Sequence, residues 1–224
     1  MFSEFGNYDS SAAFSLSQAQ EIQAQGRRLL TWQAPKNFCP RLIAGADVAF
    51  PRGSNLAQGA IAVLNYPELT VRETALAQLP LTVPYIPGYL SFRELPVLLE
   101  AWRQLHCDPD LILCDGQGYA HPRRFGLACH LGLALTKPTI GVAKSLLTGR
   151  HDPVPPQKGA WVPLMDRAET LGAVLRSRTN VRPLYISVGH LLSLEEALRW
   201  TQNCLTRYRL PEPTRLADKA SRRR

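Results

Sequence analysis

The sequence predicts an α/β fold: a mixed sheet that begins as an antiparallel meander, continues with parallel strands and carries helices on both faces. Two observations carry this. Arg41 to Phe50, about Gly59 to Tyr66 and about Leu69 to Leu79 are apolar, strand-like stretches joined by the short turn sequences Pro51-Arg-Gly-Ser54 and Asn65-Tyr-Pro-Glu68, which suits a meander. From Asp108 the order becomes strand (Leu111 to Cys114), helix (about Pro122 to Leu135) and strand (Thr139 to Val142), and such alternation implies parallel strands under a covering helix.

Taken in order, residues 1–14 read as a loose lead-in. Ser15 and Ser17, with Gln18 and Gln20 three residues on, offer two capping boxes for a helix to about Trp32, whose apolar side is Leu16, Ile22, Leu29 and Leu30. Asn37 to Pro40 break the pattern before the meander. Arg150 to Gly159, with three prolines, reads as an exposed loop. A strand pair, about Thr170 to Leu175 and Leu184 to Val188, leads into a helix from Ser193 to about Tyr208, capped by Ser193 with Glu196. Leu194, Ala197, Leu198, Thr201 and Leu205 share one of its faces. Pro211-Glu-Pro213 ends that helix, a short basic helix follows, and 219–224 form a basic tail. With no internal repeat and no forced boundary, 1–224 reads as a single domain.

At 45% hydrophobic and 20% charged residues, the composition excludes wholesale disorder and a membrane protein. The strongest compositional signal is charge: 26 Lys and Arg against 18 Asp and Glu, net +8, which favours a polyanionic partner. The five cysteines are odd in number and make no C-x-x-C pair, which argues against both a disulfide framework and a zinc site. No run of 18 apolar residues occurs, and the expectation is a soluble, cytoplasmic protein in a reducing compartment.

Asp115 ends the apolar run Leu111 to Cys114 and is followed by Gly116, Gly118 and, in the same loop, His121. Open α/β sheets bind ligands at the carboxyl ends of strands, so Asp115 is a candidate site residue; it is also a fair cap for a helix opening at Pro122. The two glycines would let the backbone take φ > 0 and approach a bound group. Asp47 interrupts the apolar strand around it, on the face of Ile43, Gly45 and Ala49, where a carboxylate needs a cation or an Arg such as Arg41. For Glu94, Ser91-x-x-Glu94 reads as a capping box, but Pro96 would then disrupt the first full turn. A helix starting near Glu94 avoids that clash and turns its carboxylate toward the sheet.

Three carboxylates from a strand, a helix start and a strand end suit a pair of Mg²⁺ ions, whose hard oxygen ligands hold them about 3.5–4 Å apart around one phosphate. Asp218 is a candidate fourth ligand, or else half of a surface ladder with Arg215 and Arg222. Lys144 follows another strand and either meets a phosphate or is merely solvated. His121 and His190 offer proton carriers or phosphate donors, while His106, His130 and His151 read as structural. Nothing resembles a Ser or Cys triad.

Pro84-Tyr-Ile-Pro-Gly88 through Glu94, Asp115-Gly-Gln-Gly118 with His121, Gly141-Val-Ala-Lys144 and Pro211-Glu-Pro-Thr-Arg215 come in an order that resembles the endonuclease V family, the deoxyinosine 3′ endonucleases. The resemblance runs from about Arg41 to Asp218. It implies a ribonuclease-H-like fold and Mg²⁺-dependent hydrolysis, with Mn²⁺ as a substitute, of the second phosphodiester 3′ to deoxyinosine, leaving a 3′-hydroxyl and a 5′-phosphate. By position it implies that Asp47, Glu94 and Asp115 hold metal, with Asp218 where some members carry His, and that Lys144 and His121 are catalytic-site residues. Tyr85 matches a wedge beside the lesion, and Leu90, Gly116, Gly118 and Leu147 a base pocket in which glycine backbone groups read O6 and N1–H of the flipped base. The implied partner is damaged DNA, single or double stranded, acted on by a monomer in DNA repair.

Two other readings stand beside this one. The same chemistry could act on inosine in RNA or on branched DNA, which one small contact to a 2′-hydroxyl can decide. A non-catalytic DNA-binding relative is the second, and three carboxylates facing a polyanion argue against it.

Overall fold

The computed structural model describes residue 5 and residues 14–223. Its elements, in chain order, are α1 (Leu16–Leu29), β1 (Leu42–Ala49), β2 (Leu56–Asn65), β3 (Thr70–Pro80), α2 (Leu90–Arg103), β4 (Leu111–Cys114), α3 (Leu127–Leu135), β5 (Thr139–Ala143), β6 (Trp161–Asp166), β7 (Glu169–Leu175), β8 (Leu184–His190), α4 (Leu194–Asn203) and α5 (Glu212–Ser221). The strands form one eight-stranded sheet in the order β3-β2-β1-β4-β5-β8-β7-β6. β1, β2 and β3 make the expected antiparallel meander, β1, β4 and β5 run parallel at the centre, and β8, β7 and β6 return antiparallel. The lead-in 1–14 falls almost wholly outside the described residues.

Side chains alternate across the central strands, and each face has its own helices. Ala44, Ala46, Ile112 and Cys114 join Leu95 and Leu98 of α2 and Leu131 of α3 on one side. Ile43, Leu111, Leu113 and Ile140 join Leu198 and Trp200 of α4 on the other, where Ala217 of α5 also packs on Ala62 and Leu64. Gly45 is needed for that seating: a Cβ there would overlap the Pro213 backbone of α5.

Several boundaries depart from the sequence reading, each for a local reason. Ser15 does cap α1, but the helix stops at Leu29 because Leu30 is extended and Trp32 turns to stack edge-on against Tyr119. β2 begins at Leu56, three residues before Gly59, because its pairing with β3 continues to Pro80. α2 starts at Leu90, not near Glu94, and holds Pro96 in its interior; burial of Phe92, Leu95, Leu98 and Leu99 offsets what the proline costs. α3 starts at Leu127 rather than Pro122, since Arg124 takes a left-handed φ of 58° and Gly126 is the cap, which removes the reading of Asp115 as a helix cap. β6 was not anticipated; it is an edge strand, where Pro163 is tolerated. α4 has the expected Ser193–Glu196 capping box but ends at Asn203, before Tyr208. Of the expected basic tail, Lys219, Ala220 and Ser221 belong to the last turn of α5, with Ala220 and Ser221 buried.

Candidate active site

The parallel strands β1, β4 and β5 bring their carboxyl ends together. Ala46 pairs with Cys114, and the Asp115 N–H donates to the Ala46 carbonyl at 2.8 Å, so Asp47 and Asp115 emerge side by side. From the α5 side comes Asp218, and one oxygen each of Asp47, Asp115 and Asp218 lies within 4.8 Å of the others. Lys144, just past β5, sets its ammonium between two of them, paired with Asp115 and, at 2.6 Å, with Asp218. Arg222 reaches Asp218 from outside at 2.7 Å, whereas Arg215 turns away to Glu212, so only half of the suspected surface ladder exists. No ion pair to Asp47 occurs among the described residues; its partners are the Ser221 hydroxyl and the Asp115 carboxyl.

Glu94 approaches from the opposite face. It lies in the second turn of α2, buried, and its carboxyl is held well above the usual range by burial and then by the charges of Asp47 and Asp115. It shares their field without belonging to the three-oxygen cluster. Ser91 is not a cap here; its hydroxyl meets His130 Nδ1 at 3.2 Å. Burial and the neighbouring Asp47 push Asp115 up to about 7, against the pull of Lys144. The same two carboxylates, Asp115 first and then Asp218, overcome burial to raise the Lys144 ammonium.

Crowded acids of this kind are costly unless something positive joins them. A divalent cation fits. The donors are hard oxygens, and Asp115 Oδ2 is buried, touching Lys144 as an ion pair but receiving no aligned hydrogen bond.

The remaining predicted residues fall in two groups. Tyr85 is 67% exposed in the loop between β3 and α2, which excludes a core role, and Leu90 and Leu147 are likewise exposed. That loop is tied down: Gly88 turns with φ 81°, and the Arg123 guanidinium bonds the Gly88 carbonyl and lies 4.0 Å from the Tyr89 ring centre. His121 belongs to this tie rather than to the carboxylates. Its Nδ1 accepts from Arg123 N–H at 3.2 Å, its ring hydrogen-bonds the Gly88 backbone, and burial lowers it to about 4, so it is neutral near pH 7. His190 accepts from the Thr31 N–H and is structural.

Neither Gly116 nor Gly118 has the positive φ expected of it. Gly118 is a packing glycine: a Cβ would strike the Val188 backbone, its N–H donates to Ser187 Oγ at 2.9 Å, and its carbonyl accepts from Gly126. Its N–H and its carbonyl thus both have partners inside the protein.

Two residues escaped the sequence reading. Ser221 stands three residues after Asp218, one helical turn on, so the face it shares with Asp218 was a usable signal. Arg209 donates to the carbonyls of Lys144, Arg182 and Pro183 and so fixes the strand end that carries Lys144; nothing in its sequence setting announces this.

Known proteins carry the same architecture. The Endonuclease V family model matches residues 25–219. A curated relative, the endonuclease V of Rippkaea orientalis, is 58% identical over 177 residues, which cover 79% of this chain and 77% of that one. The crystal structure of endonuclease V from Streptomyces avermitilis superposes with a TM-score of 0.87 at 38% identity, covering 93% of this chain and 92% of its own. Ciona intestinalis endonuclease V, solved in complex with a 24mer DNA containing an inosine followed by a ribo-adenosine, superposes with a TM-score of 0.80 at 27% identity, covering 92% and 95%. A family match over most of the chain, on a sheet whose strand ends gather the acids that its motifs supply, means that this chain belongs to the endonuclease V family.

Proposed function

We propose that this protein, acting as a single-domain monomer, is a DNA repair nuclease that hydrolyses the second phosphodiester 3′ to deoxyinosine and leaves a 3′-hydroxyl and a 5′-phosphate. The observation that carries the reading is the meeting of Asp47, Asp115 and Asp218 in one cluster, with the Lys144 ammonium paired to the last two. Asp47, Asp115 and Asp218 would hold Mg²⁺, or Mn²⁺ in its place, with Glu94 as a further carboxylate reaching in from α2. Such an ion supplies Lewis acidity at a phosphoryl oxygen and a more acidic bound water.

The chain's own groups do the rest. Lys144 is held by carboxylates whose charge a metal would take up, and its ammonium would then be released to meet a phosphate of the incised strand. Tyr85, exposed between Pro84 and Pro87, is stiff enough to enter the base stack beside the lesion, while Leu90 and Leu147 offer apolar surface to the displaced base. His121, through Gly88, sets the height of that loop. The inosine-containing DNA bound by the Ciona protein supports inosine as the recognised base.

A second reading is inosine in RNA, favoured by the ribo-adenosine that follows inosine in that same complex. One experiment covers both: nicking of matched DNA and RNA strands, each with a single inosine or none, in Mg²⁺ and in EDTA. Inosine-dependent nicking of DNA that needs Mg²⁺ supports the first reading, and preference for the RNA strand supports the second. Equal nicking of inosine and control strands overturns both.

A further inference from the structure

Ser221 is a buried polar group that the chemistry above leaves unused. It lies in the last turn of α5, and its Oγ meets two acceptors, the Asp47 carboxylate and, at 3.1 Å, the Asp218 carbonyl. A hydroxyl has one proton, and the charged acceptor takes it, because hydrogen bonds to ionised oxygens are the shorter and stronger kind. The Asp218 carbonyl is then a near neighbour rather than a hydrogen-bond partner, and it is the last turn of α5 that holds the serine one turn beyond the third carboxylate.

The placement is rigid. Close seating of Pro213 on Gly45 sets the height of α5 above β1, and the buried Ala217 and Ala220 hold the helix down along its length. A carboxylate, by contrast, turns about a broad terminal torsion unless something fixes it. Asp47 has no arginine or lysine to do so among the described residues.

We propose that Ser221 is a positioning residue for metal binding: its hydroxyl fixes the plane of the Asp47 carboxylate so that Asp47, Asp115 and Asp218 face one divalent cation together. The inference rests on the metal reading given above. Groups that orient a ligand in this way are usually worth about 10- to 100-fold in metal affinity.

The test is calorimetric titration of the full chain with Mg²⁺ and with Mn²⁺, for wild type, Ser221→Ala and Ser221→Cys, alongside thermal unfolding of each in EDTA. Cysteine fills the site with a somewhat larger atom and gives up the strong donor, and serves if the alanine variant does not fold. A metal Kd raised about 10-fold or more in the variants, at melting temperatures in EDTA close to that of wild type, supports the inference. It is overturned by variants that bind metal as wild type does, or by affinity lost only in step with stability. A wild-type protein that takes up neither ion overturns the metal reading instead, and the two failures are thereby told apart.

Discussion

Asp47, in the last part of β1, and Asp115, one residue past β4, stand side by side directly after the Ala46–Cys114 pair that closes the parallel ladder. Backbone hydrogen bonding, not side-chain choice, makes them neighbours. Two acids so placed repel each other in the metal-free protein, and Lys144 relieves only part of this.

That repulsion predicts how stability depends on pH. Asp115 is raised from the ordinary aspartate range to about 7, and Glu94 is raised as well. The folded state therefore binds protons that the unfolded state has released, so this contribution is fully present below about pH 4 and is lost as pH rises through about 7. The buried histidines His121, His130 and His190, lowered by burial, act in the opposite direction up to about pH 6.5, so the acid contribution is read as the difference between wild type and Asp115→Asn, which share those histidines. In EDTA, Asp115→Asn is expected to gain in melting temperature over wild type as pH rises from about 5 to about 8. A difference that does not grow over this range would contradict the burial of Asp115.

Asp47→Ala and Asp115→Ala are expected to abolish nicking with the fold intact, by more than the about 10- to 100-fold typical of groups that merely orient a ligand. Circular dichroism and a nicking assay on the same preparations check this. Replacing Mg²⁺ by Ca²⁺ in the wild type should keep lesion binding and suppress turnover, because the larger ion does not enforce octahedral geometry. Brisk nicking in Ca²⁺ counts against an ordered metal site.

Tyr85→Ala is expected to leave stability within about 0.5 kcal/mol, as for other exposed positions. Affinity for an inosine duplex should nevertheless weaken by about 1–3 kcal/mol, the scale of one lost base stack. Thermal unfolding and duplex titration on one variant separate the two effects, and unchanged affinity would remove the wedge.

Gly118→Ala should act on the fold. The added methyl meets the Val188 backbone, so the expected cost is about 1–3 kcal/mol of stability, with inosine selectivity kept in whatever protein folds. Denaturant unfolding and a comparison of inosine and control substrates decide this. Lost selectivity at full stability would return Gly118 to the base pocket.

Much of this was legible in the chain because local chemistry and the final fold agree. The Ser193–Glu196 capping box, the meander and the lone acid in an apolar strand each forecast what the structure contains. Proline misled at the start of α2, where tertiary burial carries the helix through Pro96. Asp218 was left between a ligand and a surface ladder, since only the seating of α5 on β1 decides which of its neighbours it meets. Gly118 misled differently, because glycine signals both unusual torsions and close packing, and here the need is packing.

Asp47 and its hydrogen-bond partner on α5 are 174 positions apart in the chain. Contacts of such span form late, after the intervening strands have found their places. A nascent chain that has finished β1, β4 and β5 thus owns two of the clustered acids but not the helix that completes them. The three-acid cluster is therefore complete only once the last helix has been made and seated on β1.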